Sequence, residues 1–155
     1  VTSHDAKAVS SSEGMERSRL TSPFYNQWLR SAGDDYAEAA LAIATRDFEK
    51  LATVTELSCL KMHSLMLTSS PTLSYWTPAS VACMDRIREL RNHGEAVFFT
   101  VDAGPQIKAV CLPESRVTVA KALSEVPGVL EILSCSLGEG ARIIDDEEPL
   151  TSRCS

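Results

Sequence analysis

The feature that most constrains the fold is a change of residue pattern near Gly94. Before Gly94, apolar residues recur at helical spacing. In segment 47–66 they stand at positions i, i+3, i+4, i+7 and i+11, which is one face of a helix. After Gly94, short segments are rich in β-branched and aromatic residues, which favour strands. Helices followed by strands predict an α+β fold, with helices packed on one side of an antiparallel or mixed sheet.

The same patterns predict the individual elements. Helices are expected at 15–20, 24–29, 36–45, 47–66, 78–93 and 116–125, and strands at 96–101, 106–112, 128–136 and 141–144. Ala32-Gly33 is expected to end the second helix, whereas Thr77-Pro78, a hydroxyl N-cap followed by proline, begins the fifth. Residues 1–144 then form one domain, and the acidic and polar tail 145–155 is expected to fray.

Size and charge narrow the functional classes. The chain has 155 residues, enough for one domain with its own core, and a formal net charge of -6. The negative charge argues against a nucleic-acid partner, because phosphate-backbone binding usually needs a basic patch. No apolar run approaches the roughly 18 residues that span a bilayer, and the first residues do not resemble a signal peptide, so no membrane partner is expected. Because the chain begins at Val1 and not at Met, a processed or truncated product is expected.

The cysteines and histidines do not form a recognisable metal or redox motif. The five cysteines are dispersed, without a C-x-x-C pair: Cys59, Cys83, Cys111, Cys135 and Cys154. An odd, dispersed set indicates reduced thiols in a cytoplasmic protein. With no H-x-x-x-H or H-E-x-x-H spacing, no metal site is predicted. His63 lies in a predicted helix and is interpreted as a packed or solvated residue.

Segment 10–15, with the sequence SSSEGM, is the first candidate site. Free N–H groups at a helix start, next to a row of hydroxyl groups, can bind an anion. The same residues also fit a helix cap with capping-box character, because serine is followed by a nearby glutamate. Composition alone favours the cap and leaves the anion site open.

Segment 101–105, with the sequence VDAGP, is the second candidate site. Asp102 stands at the carboxyl end of an apolar strand, and Gly104 allows a close approach of the backbone to a ligand. An ordinary turn explains the same residues and is favoured when the segment is considered alone. Neither G-x-x-x-x-G-K-[ST] nor G-x-G-x-x-G is present, so no cofactor-binding loop is predicted in this chain.

Five stretches together resemble one family. They are 10–15 (SSSEGM), 21–25 (TSPFY), 46–48 (RDF), 61–63 (KMH) and 99–105 (FTVDAGP). In this order and spacing they are similar to the C-terminal domain of diphosphomevalonate decarboxylases, members of the GHMP kinase superfamily. The resemblance covers nearly all of residues 1–144 and implies the GHMP kinase C-terminal type of α+β domain.

The resemblance implies an activity and a set of site residues. The family uses ATP and Mg²⁺ to phosphorylate the tertiary 3-hydroxyl of mevalonate 5-diphosphate, and loss of phosphate and carbon dioxide gives isopentenyl diphosphate. Asp102 matches the aspartate that acts as base or orienting group. Ser11 matches the serine that hydrogen-bonds the substrate, and Ser12 and Met15 match further substrate-site positions.

The resemblance also implies what lies outside the chain. The family binds ATP mainly through an N-terminal GHMP kinase domain, which this chain lacks, so the chain alone is expected to be inactive. A homodimer is left open. Ser12 stands where some bacterial members have Arg, and Gln106 stands where Asn often follows D-A-G-P. Both departures leave the substrate less defined.

Alternative functions therefore remain open. One is a relative that decarboxylates mevalonate 5-phosphate, or that phosphorylates the 3-hydroxyl without decarboxylation. Another is a stand-alone ligand-binding or interaction domain derived from the same fold.

Overall fold

Helices precede strands in the structure, as the sequence pattern predicts. The computed structural model describes residues 1–138, 140 and 143. The elements are α1 (Ser11–Thr21), α2 (Tyr25–Thr45), α3 (Phe48–Leu67), α4 (Pro78–Asn92), β1 (Val97–Val101), β2 (Ile107–Cys111) and α5 (Arg116–Ser124), with a 3-10 turn at Pro113–Ser115. The helices pack against a two-stranded antiparallel sheet, which confirms the predicted α+β class.

Side-chain caps explain where three of the helices begin. The Ser10 hydroxyl accepts the backbone N–H of Glu13 at α1, and the Asp47 carboxylate accepts that of Lys50 at α3. Thr77 and Ser80 form a reciprocal capping box at α4, with proline at the first helical position. The predicted start at Thr77-Pro78 is thus confirmed.

The sheet positions the turn between its two strands. Val97 pairs with Cys111 and Val101 pairs with Ile107, so residues 102–106 connect the strands at one end. In β1, Val97, Phe98, Phe99 and Val101 are all buried, because α3 and α4 both pack against it. The turn after Val101 therefore follows directly from a strand that is packed into the core.

The main core lies between α3, α4, α5 and β1. Its buried members include Cys59 from α3, Ile87 from α4, Phe99 and Val101 from β1, and Leu123 from α5. A smaller cluster of Met66, Leu73 and Tyr75 lies below the start of α1, with Met15 packed against it.

Three predicted helix boundaries are wrong. α1 begins at Ser11, four residues before its predicted start at 15. The helices expected at 24–29 and 36–45 form one helix, α2, which continues through Gly33. A glycine inside a helix costs only about 1 kcal/mol relative to alanine, and packing of α2 along α3 offsets this cost.

The predicted strand at 128–136 is not observed. The segment has no regular structure, and among the described residues three of its backbone groups are bonded to other segments. The N–H of Val129 donates to the Val126 carbonyl at 3.1 Å, the N–H of Leu130 donates to the Val1 carbonyl at 2.9 Å, and the carbonyl of Glu131 accepts from the Val1 ammonium at 2.8 Å. A strand forms only where a neighbouring strand pairs along its length. Most of the predicted strand at 141–144, and the whole tail 145–155, lie outside the described residues.

Candidate active site

Asp102 lies where β1 ends and the connection to β2 begins. The connection turns sharply, with the Gly104 N–H donating to the Asp102 carbonyl at 2.7 Å. The Asp102 side chain is 78% exposed and forms an ion pair with Lys108 of β2. The predicted strand end is therefore correct, and its carboxylate faces open space with a cation at its side.

An open cavity of about 420 Å³ lies over this turn. Its lining comes from the turn, from β2 and from the residues before α1: Asp5, Lys7, Asp102, Ala103, Gly104, Pro105, Gln106 and Lys108. It thus combines a carboxylate that can accept a proton with ammonium groups that can bind an anionic ligand.

Lys7 connects the two candidate segments. Its Nζ donates to the Ser11 hydroxyl at 2.7 Å and to the Ala103 carbonyl at 2.8 Å. The structure therefore brings Ser11 next to the Asp102 turn, although 91 positions separate Ser11 from Asp102 (102 less 11). Sequence reasoning missed Lys7 because an isolated lysine in a polar segment carries no motif. Its only signal is the spacing of four residues from Ser11.

The other predicted substrate-binding residues lie to one side. Ser12 is exposed on the first turn of α1, and none of Ser11, Ser12 and Met15 lines the cavity itself, although Ser11 is bonded to its lining residue Lys7. Met15 packs on the cluster that contains Met66 and Tyr75, and Ala103 packs on the same cluster. Met15 and the Asp102 turn are thus both packed on this cluster.

The packing around Gly14 explains why the SSSEGM segment has a glycine at this position. A Cβ atom on Gly14 would lie 2.6 Å from Tyr75 Oη and 2.9 Å from Leu73 Cδ2, which is too close for any side chain. Tyr75 Oη is bonded to the carbonyls of Val9 and Ser10, at 3.1 and 3.0 Å. The glycine thus lets a buried tyrosine hold the backbone just before α1, and burial raises the pKa of Tyr75.

The first residues of the chain are bonded to the same turn. The side-chain amide of Gln106 accepts the Thr2 N–H at 2.7 Å and donates to the Ser3 carbonyl at 2.6 Å. The Pro105 carbonyl accepts from the hydroxyls of Thr2, at 2.8 Å, and Ser80, at 2.7 Å. Gln106 thus holds residues 2 and 3 beside the turn.

Side chains of α3 support β1 on the edge that faces away from β2. Glu56 Oε1 accepts the Phe99 N–H at 3.2 Å, and Cys59 Sγ lies 3.2 Å from the Val101 nitrogen. His63 Nε2 lies 3.0 Å from the Val101 carbonyl oxygen. Burial raises the pKa of Cys59 and lowers the pKa of His63, so both groups are neutral at neutral pH.

Among residues 1–138, 140 and 143, no three His, Cys, Asp or Glu side chains come together as a metal site. Within the same part of the chain, no helix has both the length and the apolar character needed to cross a bilayer.

Comparison with known proteins identifies the family. The model of the mevalonate 5-diphosphate decarboxylase C-terminal domain matches residues 1–143. The chain belongs to this family. The resemblance noted in the sequence is therefore confirmed, together with the assignment to the C-terminal domain.

Individual decarboxylases show the same relationship. The diphosphomevalonate decarboxylase of Eremothecium gossypii is 31% identical over 132 residues, which are 83% of this chain and 33% of that protein. A solved structure of the mevalonate diphosphate decarboxylase from Enterococcus faecalis, described for its ATP binding, is 36% identical with a TM-score of 0.72, over 75% of this chain and 36% of that one. A solved complex of MDDEF with MVAPP, AMPPCP and magnesium is 37% identical with a TM-score of 0.74, over 77% of this chain and 37% of that one. The chain thus spans about a third of the length of these decarboxylases.

Proposed function

We propose that the chain is the substrate-side domain of an enzyme that uses ATP to phosphorylate and decarboxylate mevalonate 5-diphosphate, giving isopentenyl diphosphate for isoprenoid lipid synthesis in the cytoplasm. The observation that carries this proposal is the exposed Asp102 carboxylate in a cavity that also holds Lys7 and Lys108. Membership of the decarboxylase C-terminal family supports it.

Asp102 is the proposed catalytic residue. A tertiary alcohol is a weak nucleophile, and a carboxylate within hydrogen-bond reach can orient it and take its proton as phosphoryl transfer begins. The position at the end of buried β1 suits this role, because a rigid strand holds the carboxylate in place while its 78% exposure leaves it open to a substrate.

The cations and the hydroxyl around Asp102 have complementary proposed roles. Lys7 and Lys108 place positive charge in the cavity, where it can stabilise an anionic substrate and the charge that develops during transfer. The Ser11 hydroxyl, already bonded to Lys7, is proposed to hydrogen-bond the substrate. Ser12 and Met15 stay proposed substrate-site residues on the strength of the resemblance.

ATP and Mg²⁺ are proposed to bind mainly on an N-terminal GHMP kinase domain. The described residues of this chain do not fit these groups by themselves, because they hold no cluster of metal-binding side chains and no glycine-rich loop that would surround phosphates. The chain by itself is therefore proposed to be inactive. Mg²⁺-bound ATP would supply the phosphoryl group, and Asp102 would act on the acceptor hydroxyl.

Asp102→Asn in the full-length protein tests the function. The amide keeps the shape of the carboxylate but cannot take the proton, so turnover should fall by roughly 10²- to 10⁴-fold, while KM for mevalonate 5-diphosphate changes far less. Steady-state kinetics with detection of isopentenyl diphosphate measures both constants.

Asp85→Asn is the matched control, because Asp85 is an exposed carboxylate on α4 that pairs with Arg88 away from the cavity. It should behave as wild type. Normal turnover in Asp102→Asn would refute the assignment of the base. A wild-type protein that binds mevalonate 5-diphosphate without converting it would favour the ligand-binding alternative.

A further inference from the structure

The backbone of β1 alternates between two partners, and this alternation decides what holds Asp102. Phe98 and Thr100 lie opposite Val110 and Lys108 of β2. The backbone groups of Phe99 and Val101 instead meet side chains of α3. Asp102 is the next residue after Val101. The last contact between α3 and β1 is therefore made to the Val101–Asp102 peptide group.

We propose that His63 is a positioning residue that orients Asp102 through the carbonyl group of Val101, an inference that rests on the proposed role of Asp102 as the base. His63 Nε2 lies 3.0 Å from the Val101 carbonyl oxygen, which is normal hydrogen-bond geometry. A carbonyl oxygen only accepts, so Nε2 carries the proton and the imidazole donates.

The peptide plane explains how this bond reaches Asp102. The Val101 carbonyl and the Asp102 N–H belong to one planar unit. A donor that fixes the carbonyl direction therefore also fixes the direction in which Asp102 leaves the strand. A displacement of this plane would move the carboxylate relative to the substrate hydroxyl.

The surroundings of His63 make it a stiff donor. The residue is 2% exposed, and its ring lies against Trp76 with 4.6 Å between ring centroids. Burial lowers the pKa of His63, so the ring stays neutral and keeps a single N–H on the atom that faces Val101. A surface side chain would exchange this bond with water.

Cys59 provides an internal comparison. It stands one helical turn before His63 on α3 and contacts the same residue, Val101. The Val101 nitrogen lies 3.2 Å from Sγ and belongs to the Thr100–Val101 peptide plane, one plane farther from Asp102. Sγ also lies 3.4 Å from the Val101 carbonyl oxygen, but a thiol is a weak donor, so the imidazole N–H is the main donor to that oxygen. A purely structural role predicts similar consequences for losing either contact, whereas positioning of Asp102 predicts that His63 matters more.

Two amide substitutions of His63 in the full-length protein distinguish a purely structural role from positioning of Asp102. In His63→Gln the side-chain amide reaches the Nε2 position and can still donate to Val101, whereas in His63→Asn the amide is one methylene too short. His63→Phe keeps a ring against Trp76 without a donor. We expect His63→Asn and His63→Phe to lower kcat roughly 10- to 100-fold with KM nearly unchanged, and His63→Gln to restore most of the loss. Cys59→Ala should keep kcat near the wild-type value.

A second measurement does not depend on activity. Carbonyl ¹³C resonances of Val101 and amide resonances of Asp102 should move in His63→Asn and His63→Phe and stay close to wild type in His63→Gln. If His63→Phe does not fold, the Gln and Asn variants decide by themselves.

The contrary results are equally specific. Wild-type kcat in His63→Asn, or a loss in His63→Gln as large as in His63→Phe, would overturn the positioning role. Unchanged Val101 and Asp102 resonances in His63→Asn would do the same. Failure of the proposed function looks different: Asp102→Asn would then turn over normally, while the resonances would still report whether His63 orients the peptide.

Discussion

Two long neighbouring helices, α2 and α3, are used in opposite ways. They have 21 and 20 residues and pack along each other. Seven residues of α3 are buried, including the polar Glu56 and His63, whereas Ala42 is the only residue of α2 in that class. On α2, Leu29, Tyr36 and Ile43 are 58%, 77% and 64% exposed.

This difference shows that contact with strand β1 determines how many residues of a helix are buried. α3 lies against β1. The backbone groups on the edge of β1 that faces away from β2 need hydrogen-bond partners, and buried polar side chains of α3 supply them. α2 lies one layer farther out and packs mainly on α3 among the described elements, so several of its large apolar residues stay exposed. Four substitutions, three of them with a comparison variant, test this contrast, and the four are taken from the largest expected effect to the smallest.

Among these four substitutions, Glu56→Ala should cause the largest loss of stability. Glu56 forms two bonds of 2.9 Å with Arg91 and accepts the buried N–H of Phe99. Its removal leaves a partly buried guanidinium and a buried N–H without partners, which should lower the free energy of unfolding by about 3 kcal/mol. Urea unfolding followed by circular dichroism measures this.

Glu38→Ala on α2 is the control for Glu56→Ala. Glu38 is exposed and lies 3.8 Å from Lys50, so its loss should cost less than about 1 kcal/mol. Equal losses in the two variants would show that α2 and α3 do not differ in this way.

His63→Gln should change how stability depends on pH. Burial lowers the native pKa of His63 below its ordinary value of 6.5, so just below pH 6.5 the unfolded chain binds more protons than the folded chain. Stability therefore falls as pH falls from about 6.5 to the native pKa, by at most about 1.4 kcal/mol per pH unit. Unfolding of both proteins at several pH values between 5 and 7.5 should show a shallower decline in His63→Gln. Identical pH profiles would contradict the burial of a neutral ring.

Gly33→Ala should stabilise the protein. Gly33 is helical and nothing lies within 4 Å of the position of its Cβ, so alanine gains about 0.5–1 kcal/mol through helix propensity without a clash. A rise in melting temperature measures the gain. Gly14→Ala is the counterpart and should instead lose about 1–3 kcal/mol, because its Cβ meets Tyr75. Stabilisation by both changes would contradict the close packing at Gly14.

Tyr36→Ser should have the smallest effect. The side chain is 77% exposed, and the two residues have similar helix propensities, so stability should stay within about 0.5 kcal/mol. Leu65→Ala on α3, where the side chain is 0% exposed, should cost about 2–5 kcal/mol under the same conditions. A loss above about 1 kcal/mol in Tyr36→Ser would mean that another surface covers α2 in solution.

Local signals in the sequence predicted much of the fold. The Thr77-Pro78 start, the β1–β2 pair and Asp102 at the strand end all follow from neighbouring residues. α2 was divided in error, because a glycine weakens a helix that tertiary packing nevertheless maintains. The prediction of a strand at 128–136 was wrong, because strand formation depends on a pairing partner that composition does not reveal.

The site was predictable only in part, for the same reason. Asp102 and Ser11 could be selected by motif, but the bond that brings them together runs from Lys7 to Ala103, 96 residues away. Likewise, the bonds of Glu56 and His63 to β1 span 43 and 38 residues. Contacts at such separations depend on the folded chain path, which local pattern does not contain.

The bond pair made by Gln106 has a mechanical consequence. Its side-chain amide bridges Thr2 and Ser3 much as a peptide group bridges two strands, and Thr2 also bonds the Pro105 carbonyl. A force on the first three residues would therefore reach the turn beside Asp102 through three short links instead of dissipating along a hundred intervening residues. A displacement of the first three residues would therefore be transmitted directly to the five-residue turn that carries the Asp102 carboxylate.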